Sequence, residues 1–454
     1  MGRLFGTDGV RGVANDDLSP ELALRLGRAA AAVLAQAAGG RPRVLMGRDT
    51  RASGDLLEAA LAAGLMSAGA DVVPLGVITT PGVAFLTAQL GATAGAVISA
   101  SHNPPEYNGI KFFSAEGRKL PDALEEEIES LIAAEPSAGA GAGLPAPVGG
   151  AVGRRQPEAA AAERYIEHLR SVVRSDLRGL RVVVDCAHGA AYRLAPEVWR
   201  RLGVRLTVLN DRPDGTNINV DCGSTSPEKL AEAVVREGAD LGVAYDGDGD
   251  RVIAVDERGR VVDGDAILAV LARDLLARDA LPHRTVVATV MSNLGLERAL
   301  AAAGARLVRT KVGDRYVFEA MEAGGYVLGG EQSGHIILRQ YAQTGDGILT
   351  GLVLADVMVR SGKPLSELAS VVQPVPQVLV NVRVARKDGW EQEPAIRTAI
   401  RRAEERLGDA GRVLVRASGT EPLIRVMVEG DDEALVRELA GEIAGAVRHA
   451  LGTG

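Results

Sequence analysis

Aromatic residues are scarce, making up only 3% of the 454-residue chain. Ala, Gly and Arg are heavily used instead, so the scarcity reads as a GC-rich coding bias and carries no chemistry. Cysteine is nearly absent. Cys186 and Cys222 are the only two, and neither sits in a Cys-x-x-Cys pair, which argues against a zinc site or a redox dithiol. Two free thiols in a reducing cytosol are expected, with a disulfide between them as the alternative. No stretch approaches the roughly 18 uninterrupted apolar residues of a membrane span, and the most apolar helical segment, Leu22 to Ala38, is broken by Arg25 and Arg28. The opening Met-Gly-Arg-Leu-Phe-Gly-Thr-Asp lacks the apolar stretch of a signal peptide, so a soluble, cytoplasmic protein is expected. There is no basic excess. The net charge of −8 argues against a nucleic-acid partner, and any bound phosphate must meet a local cluster of Arg and Lys. No Walker A sequence occurs, which disfavours a P-loop nucleotidase. The hydrolase elbow Gly-x-Ser-x-Gly is missing from the serine loop described below.

What is present begins with length, which calls for three or four domains. Apolar residues at 46% and charged residues at 24% are ordinary for a globular protein. A pattern of strand, loop, helix and strand, followed by a later strand and loop, occurs three times. The copies begin at Arg43–Gly47, Arg181–Asp185 and Thr285–Thr289, and their later strands are Gly95–Ile98, Ala239–Ala244 and Gly325–Leu328. Apolar strands alternating with amphipathic helices predict mainly parallel α/β sheets. After each later strand comes a polar loop: Ser99-Ala-Ser-His-Asn103, Tyr245-Asp-Gly-Asp-Gly-Asp-Arg251 and Gly329-Gly-Glu-Gln-Ser-Gly-His335. Ligands in open α/β sheets bind beyond the carboxyl ends of strands, so three such loops can face one cleft. Ala134–Ala162, rich in Ala, Gly and Pro, is a connection, and its Gly139-Ala-Gly-Ala-Gly143 lacks the strand and spacing of a dinucleotide loop. From about Pro374 the pattern becomes that of a small α+β domain, with strands at Val378–Val384, Arg412–Arg416 and Leu423–Glu429 and helices at Glu391–Leu407 and Glu433–Leu451. The expected domains are residues 1–155, 156–255, 256–372 and 373–454.

Asp246, Asp248 and Asp250 alternate in an extended loop whose glycines allow it to curl around a cation. Unpaired anions at that spacing repel, and oxygen-only ligands suit Mg²⁺ or Mn²⁺. An EF-hand is the rival, with Glu257 at its twelfth position, but Arg251 stands where Gly is needed and the flanks read as strands. A solvated acidic turn is the plain alternative. Ser101 lies in a polar loop after an apolar strand, as nucleophile or as turn cap. His102 and Lys111 are a phosphate-neutralising pair or surface groups. Glu331, Ser333 and His335 can hydrogen-bond vicinal sugar hydroxyls, and a histidine can transfer protons near neutral pH; a buried, satisfied histidine is the alternative. Arg416-Ala-Ser-Gly-Thr-Glu-Pro422, with Arg425 beyond, offers two guanidiniums, the hydroxyls of Ser418 and Thr420 and the amides around Gly419 as a phosphate nest. Phe5-Gly-Thr-Asp-Gly-Val-Arg-Gly12 adds a mobile Arg11 or is a glycine-rich tail.

With these motifs in order along the whole chain, the sequence resembles the α-D-phosphohexomutase superfamily. Its opening motif and Gly329-Gly-Glu-Gln-Ser-Gly-His335 favour the glucosamine branch over the phosphomannomutase/phosphoglucomutase branch, which more often carries Met at the position of Gln332. The resemblance implies three related mixed α/β domains around a central cleft and a C-terminal α+β domain. It implies that Ser101 carries a phosphoryl group, and that Asp246, Asp248 and Asp250 with a phosphoryl oxygen on Ser101 bind one Mg²⁺. Glu331, Ser333 and Arg251 would hold the sugar. Arg416, Ser418, Gly419, Thr420 and Arg425 would clamp the non-reacting phosphate. Arg11, Lys111, His335 and His102 would lie near the transferring group. The implied partner is a hexosamine phosphate converted through a 1,6-bisphosphate toward amino-sugar precursor for cell-wall synthesis. A homodimer is left open.

Overall fold

A computed structural model describes residues 4–6, 8–134, 144–418 and 421–452. Thr7, Gly419 and Thr420 and the Gly139–Gly143 run therefore lie outside the described residues. The first sheet holds β1 (Val10–Val13), β2 (Arg43–Arg48), β3 (Asp71–Val77), β4 (Ala94–Ile98) and β5 (Tyr107–Ser114), in the order β1-β5-β4-β2-β3. The second holds β6 (Arg181–Asp185), β7 (Arg205–Leu209), β8 (Leu241–Tyr245), β9 (Val252–Asp256) and β10 (Val261–Val262), ordered β10-β9-β8-β6-β7. The third holds β11 (Thr285–Thr289), β12 (Arg306–Thr310), β13 (Leu328–Gly330) and β14 (Ile336–Leu338), ordered β12-β11-β13-β14.

The threefold repeat is thus real in space. In each sheet the first strand of the repeat is central, with parallel partners on both sides. The next strand after the polar loop returns antiparallel beside the third: β5 on β4, β9 on β8 and β14 on β13. The sheets are therefore mixed, and each polar loop is a tight reversal between two buried strands. The third copy corrects one expected boundary. The helix Asp314–Gly324 runs on to a left-handed Gly325 (φ 65°), so the strand starts at Leu328 and not at Gly325.

The first long helix, Pro20–Ala38, shows why the segments fold locally as they do. Ser19 caps its N-terminus by accepting from the Leu22 amide, Pro20 opens it, and a left-handed Gly39 ends it. Gly27 and Gly64 let this helix lie against Gly54–Ser67: a Cβ on Gly64 would come within 2.1 Å of the Leu24 carbonyl oxygen.

The fourth sheet, β15 (Gln377–Arg383), β16 (Gly411–Ala417) and β17 (Leu423–Gly430), is antiparallel in the order β15-β17-β16 and is covered by the helices Pro394–Leu407 and Glu433–Leu451. One continuous apolar core runs from Leu45 through Val243 to Leu328, joining the first three sheets. The last domain has a separate core built on Ile396, Val426 and Leu439. Among the described residues no helix is long and apolar enough to cross a membrane.

Candidate active site

The loop between β4 and β5 presents Ser101. Its backbone is left-handed (φ 51°), a region costly for a residue with a Cβ, and the residue is 1% exposed. Its Oγ donates to Asp246 Oδ2 at 2.6 Å, joining the first and second repeats. His102 Nδ1 lies 3.4 Å from the same Oγ. Burial first, then Arg251 and Arg11, lower the His102 imidazole to about 4, so that ring is neutral at pH 7.

The Ser101 backbone is held from several sides. Its amide donates to Ser99 Oγ at 3.0 Å, and Ser99 Oγ donates to Asp49 Oδ2 at 2.5 Å. Arg51, fully buried, donates Nε to Asp49 Oδ2 at 2.9 Å. Its Nη2 donates to the carbonyls of Ser101 (3.0 Å) and Asn103 (2.8 Å), and Nη1 to those of Tyr107 (2.9 Å) and Pro104. Asn219, from the second domain, donates Nδ2 to the Ser101 and Asn103 carbonyls at 2.9 and 3.1 Å.

Between β8 and β9, Asp246, Asp248 and Asp250 bring one carboxylate oxygen each within 4.8 Å of one another. All three are buried. Asp248 Oδ2 accepts from Lys111 Nζ at 2.7 Å and Thr80 Oγ1 at 2.6 Å, while Asp248 Oδ1 and Asp250 Oδ1 are buried with no hydrogen-bond partner among the described residues. Burial, then Asp250 and Asp248, push the Asp246 carboxyl well up. Burial also opposes charge on Asp250, but His335 and Lys111 hold that carboxyl below its usual range. An all-oxygen donor set with orphaned buried oxygens fits a hard divalent cation. The EF-hand alternative fails: the flanks are strands, and Glu257 is committed to Ser366.

Cations surround this cluster. Lys111, on β5, also reaches Asp8 Oδ2 at 3.4 Å, and Arg11, on β1, pairs with the same Asp8 oxygen. Arg251 Nε lies 3.8 Å from Asp250 Oδ1. His335, from the third repeat, places Nδ1 3.4 Å from Asp250 Oδ2. Burial works against its charge, but Asp250, with Asp314 and Glu331, raises the imidazole to about 9. The Gly345 amide, 3.0 Å from Nε2, works the other way, because a protonated Nε2 has no lone pair to accept it. The carboxylates of Asp250, Asp314 and Glu331 favour a second proton on the ring, whereas the Gly345 amide favours the neutral ring with its proton on Nδ1, facing Asp250. Glu331 accepts from Ser333 Oγ on the same loop at 3.2 Å and from the amide of Gly313, at the start of the helix Asp314–Gly324, at 3.3 Å.

The sequence-predicted residues Ser101, His102, Lys111, Arg11, Asp246, Asp248, Asp250, Arg251 and His335 are therefore brought together. Sequence reasoning passed over Asp8, Thr80, Arg51 and Asn219. Arg51 stood at the carboxyl end of β2, where α/β sheets place ligand groups; Asn219 gave no signal.

The last domain is built differently. Arg416 on β16 stands directly opposite Arg425 on β17. Like charges in that position repel. Burial and Arg425 lower the Arg416 guanidinium; among the described residues Arg425 Nε is buried without a hydrogen-bond partner, and Arg425 Nη2 donates to Glu421 at 3.2 Å. Ser418 Oγ accepts from the Glu421 amide at 3.3 Å. Two guanidiniums thus face each other across the strand pair, with Glu421 bonded to one of them.

Four domain descriptions match in order: phosphoglucomutase/phosphomannomutase alpha/beta/alpha domain I at residues 2–138, domain II at 163–259, domain III at 263–375 and the C-terminal domain at 379–446. The chain belongs to the phosphoglucomutase/phosphomannomutase family, and within it to the branch of the phosphoglucosamine mutases. A phosphoglucosamine mutase of Symbiobacterium thermophilum is 60% identical over 454 residues, covering 99% of this chain and 100% of that one. The phosphoglucosamine mutase of Moorella thermoacetica is 58% identical over 452 residues, with 100% of both covered. Among solved structures, a phosphoglucomutase/phosphomannomutase family protein of Burkholderia thailandensis superposes with a TM-score of 0.82 at 26% identity, over 99% of each chain.

Proposed function

We propose that this chain interconverts glucosamine 6-phosphate and glucosamine 1-phosphate, with Ser101 as the phosphoryl carrier. The observation that carries the reading is the 2.6 Å bond from Ser101 Oγ to Asp246, which puts a buried hydroxyl against the acidic cluster. Full-length similarity to phosphoglucosamine mutases supports the amino-sugar branch.

Asp246, Asp248 and Asp250, with a phosphoryl oxygen on Ser101, would hold Mg²⁺. The cation would neutralise charge on the phosphoryl group in flight. The chain's own residues do the rest. In the first half, a sugar hydroxyl oxygen bonds to phosphorus, the phosphorus–Oγ bond of Ser101 breaks, and the sugar's proton ends on Oγ. The 1,6-bisphosphate turns, and the second half runs the same exchange in reverse at the other position. Lys111, Arg11 and His335 supply positive charge beside the transferred group, with His102 next to Oγ. Glu331, Ser333 and Arg251 bind the sugar. Arg416, Ser418 and Arg425 grip whichever phosphate is not reacting, and Gly419 and Thr420, outside the described residues, complete that clamp.

The test is a substrate panel with intact-mass localisation of phosphate. Faster conversion of glucosamine 1-phosphate than of glucose 1-phosphate is expected, with phosphate on Ser101. Preference for glucose or mannose 1-phosphate would reassign the chain to the phosphoglucomutase/phosphomannomutase activity. Stoichiometric release of inorganic phosphate would make it a phosphatase.

A further inference from the structure

A serine held at φ 51° is kept there by its surroundings, since a freed loop would relax out of the left-handed region. The hydrogen bonds around it form a closed circuit. The Ser101 amide is fixed through Ser99 to Asp49, Asp49 is fixed to Arg51, and Arg51 returns to the Ser101 carbonyl. Arg51 spends all five of its N–H groups in this way, four of them on carbonyls of residues 101–107. Asn219 reaches the same Ser101 and Asn103 carbonyls from the second domain. The acidic loop stands against this junction: a Cβ on Gly247 would lie 2.5 Å from the Ser101 oxygen and 2.9 Å from Asn219 Nδ2.

We propose that Arg51 and Asn219 are positioning residues that jointly hold Ser101 Oγ in line with the acidic cluster, one from each domain. The proposal rests on Ser101 being the phosphoryl carrier. Neither residue touches the reacting atoms. Each fixes the peptide that aims the hydroxyl, and a misplacement of about 1 Å at a reacting atom can cost on the order of a hundredfold in rate.

Asn219 is itself left-handed (φ 61°), so Asn219→Gly removes the donor without backbone strain. Arg51→Lys keeps a cation beside Asp49 but cannot span four carbonyls. The measurements are kcat and KM for glucosamine 1-phosphate, the rate at which glucosamine 1,6-bisphosphate phosphorylates the protein by intact mass, and Tm. For Asn219→Gly we expect kcat and the phosphorylation rate to fall together by about 10- to 100-fold, with KM changed less than about threefold and Tm nearly unchanged. Arg51→Lys should fall further. If Asn219→Gly keeps both rates within about twofold of the parent, or loses activity only in proportion to lost folded protein, the proposal is wrong. Should Arg51→Lys not accumulate folded protein, Asn219→Gly decides alone. A parent chain that neither interconverts the two glucosamine phosphates nor takes phosphate on Ser101 would instead defeat the underlying mutase reading.

Discussion

Ser101 and Arg416 would each meet a phosphate, yet their settings are opposite. Ser101 is 1% exposed, its carbonyl receives hydrogen bonds from two domains, and the core beneath it is continuous across three sheets. Arg416 lies on a strand that is only half-buried along its whole length, faces another arginine, and belongs to a domain with its own core. Among the described residues the hydrogen bonds and ion pairs that join the two regions are few. Arg412 Nη2 donates to the Ser292 carbonyl at 2.7 Å, Arg298 pairs with Asp431 at 2.5 Å, and Asn293 holds the Val375 backbone through both its amide groups at 3.0 Å. Chemistry needs one fixed geometry, whereas a grip on either end of a turning sugar needs a domain that can yield. Interfaces of a few polar contacts leave such motion open.

The sharpest break in the comparison is Ser101→Ala. If the buried end holds the carrier, turnover falls by about a thousandfold or more while Tm is kept, because only one hydroxyl and its bond to Asp246 are lost. Appreciable mutase activity in this variant would strip Ser101 of its role. Asp248→Asn comes next. Its Oδ1 is buried without a partner among the described residues and its Oδ2 is the Lys111 contact. We expect kcat to fall at least about 10- to 100-fold, with a rise in the Mg²⁺ concentration needed for half activity. An unchanged metal requirement would count against the acidic loop.

Arg416→Ala should behave differently from both. Losing one charge-assisted phosphate contact is worth roughly 1.5–3 kcal/mol, so KM should rise about tenfold to a hundredfold. Tm should hold or rise slightly, since the repulsion with Arg425 is relieved. A large loss of stability would show that the arginine pair is structural, and the contrast between the two regions would weaken.

The contrast was partly legible in the sequence. The threefold alternation of apolar strands and polar loops announced the three sheets, and Asp246-Gly-Asp-Gly-Asp250 announced its cluster, because alternating residues in an extended segment share a side. Strand direction was not legible: nothing in Tyr107–Ser114 says that β5 runs antiparallel to β4. Nor were Arg51 and Asn219 legible as partners of one loop. They bind backbone carbonyls, which every residue carries, and Asn219 lies 118 positions from Ser101. The small number of links, among the described residues, between the last domain and the rest was equally hidden, since it depends on which faces meet.

The smallest effect expected lies at the junction itself. Asp265 Oδ2 accepts from the Asn293 amide at 2.7 Å, and Asn293 in turn holds Val375, just ahead of the last domain. Among the described residues Asp265 Oδ1 and Ser292 Oγ are buried with no hydrogen bond of ordinary geometry, although the Ser292 hydroxyl stands close enough to favour the charged carboxyl. Burial, then Asp263, pushes the Asp265 carboxyl up to about 7, against about 3.9 in an unfolded chain. A folded value above the unfolded one means that this group's stabilising contribution is complete below about pH 4 and is lost as pH rises through 7. Asparagine at this position keeps the acceptor for the Asn293 amide, can donate to Ser292 Oγ, and never ionises. The Tm of Asp265→Asn minus that of the parent should therefore grow between about pH 4 and pH 7 and level off above, reaching a few degrees at pH 8. A difference that stays flat with pH would mean that Asp265 does not titrate in this range, and that the joint between the two regions is not pH-sensitive through this residue.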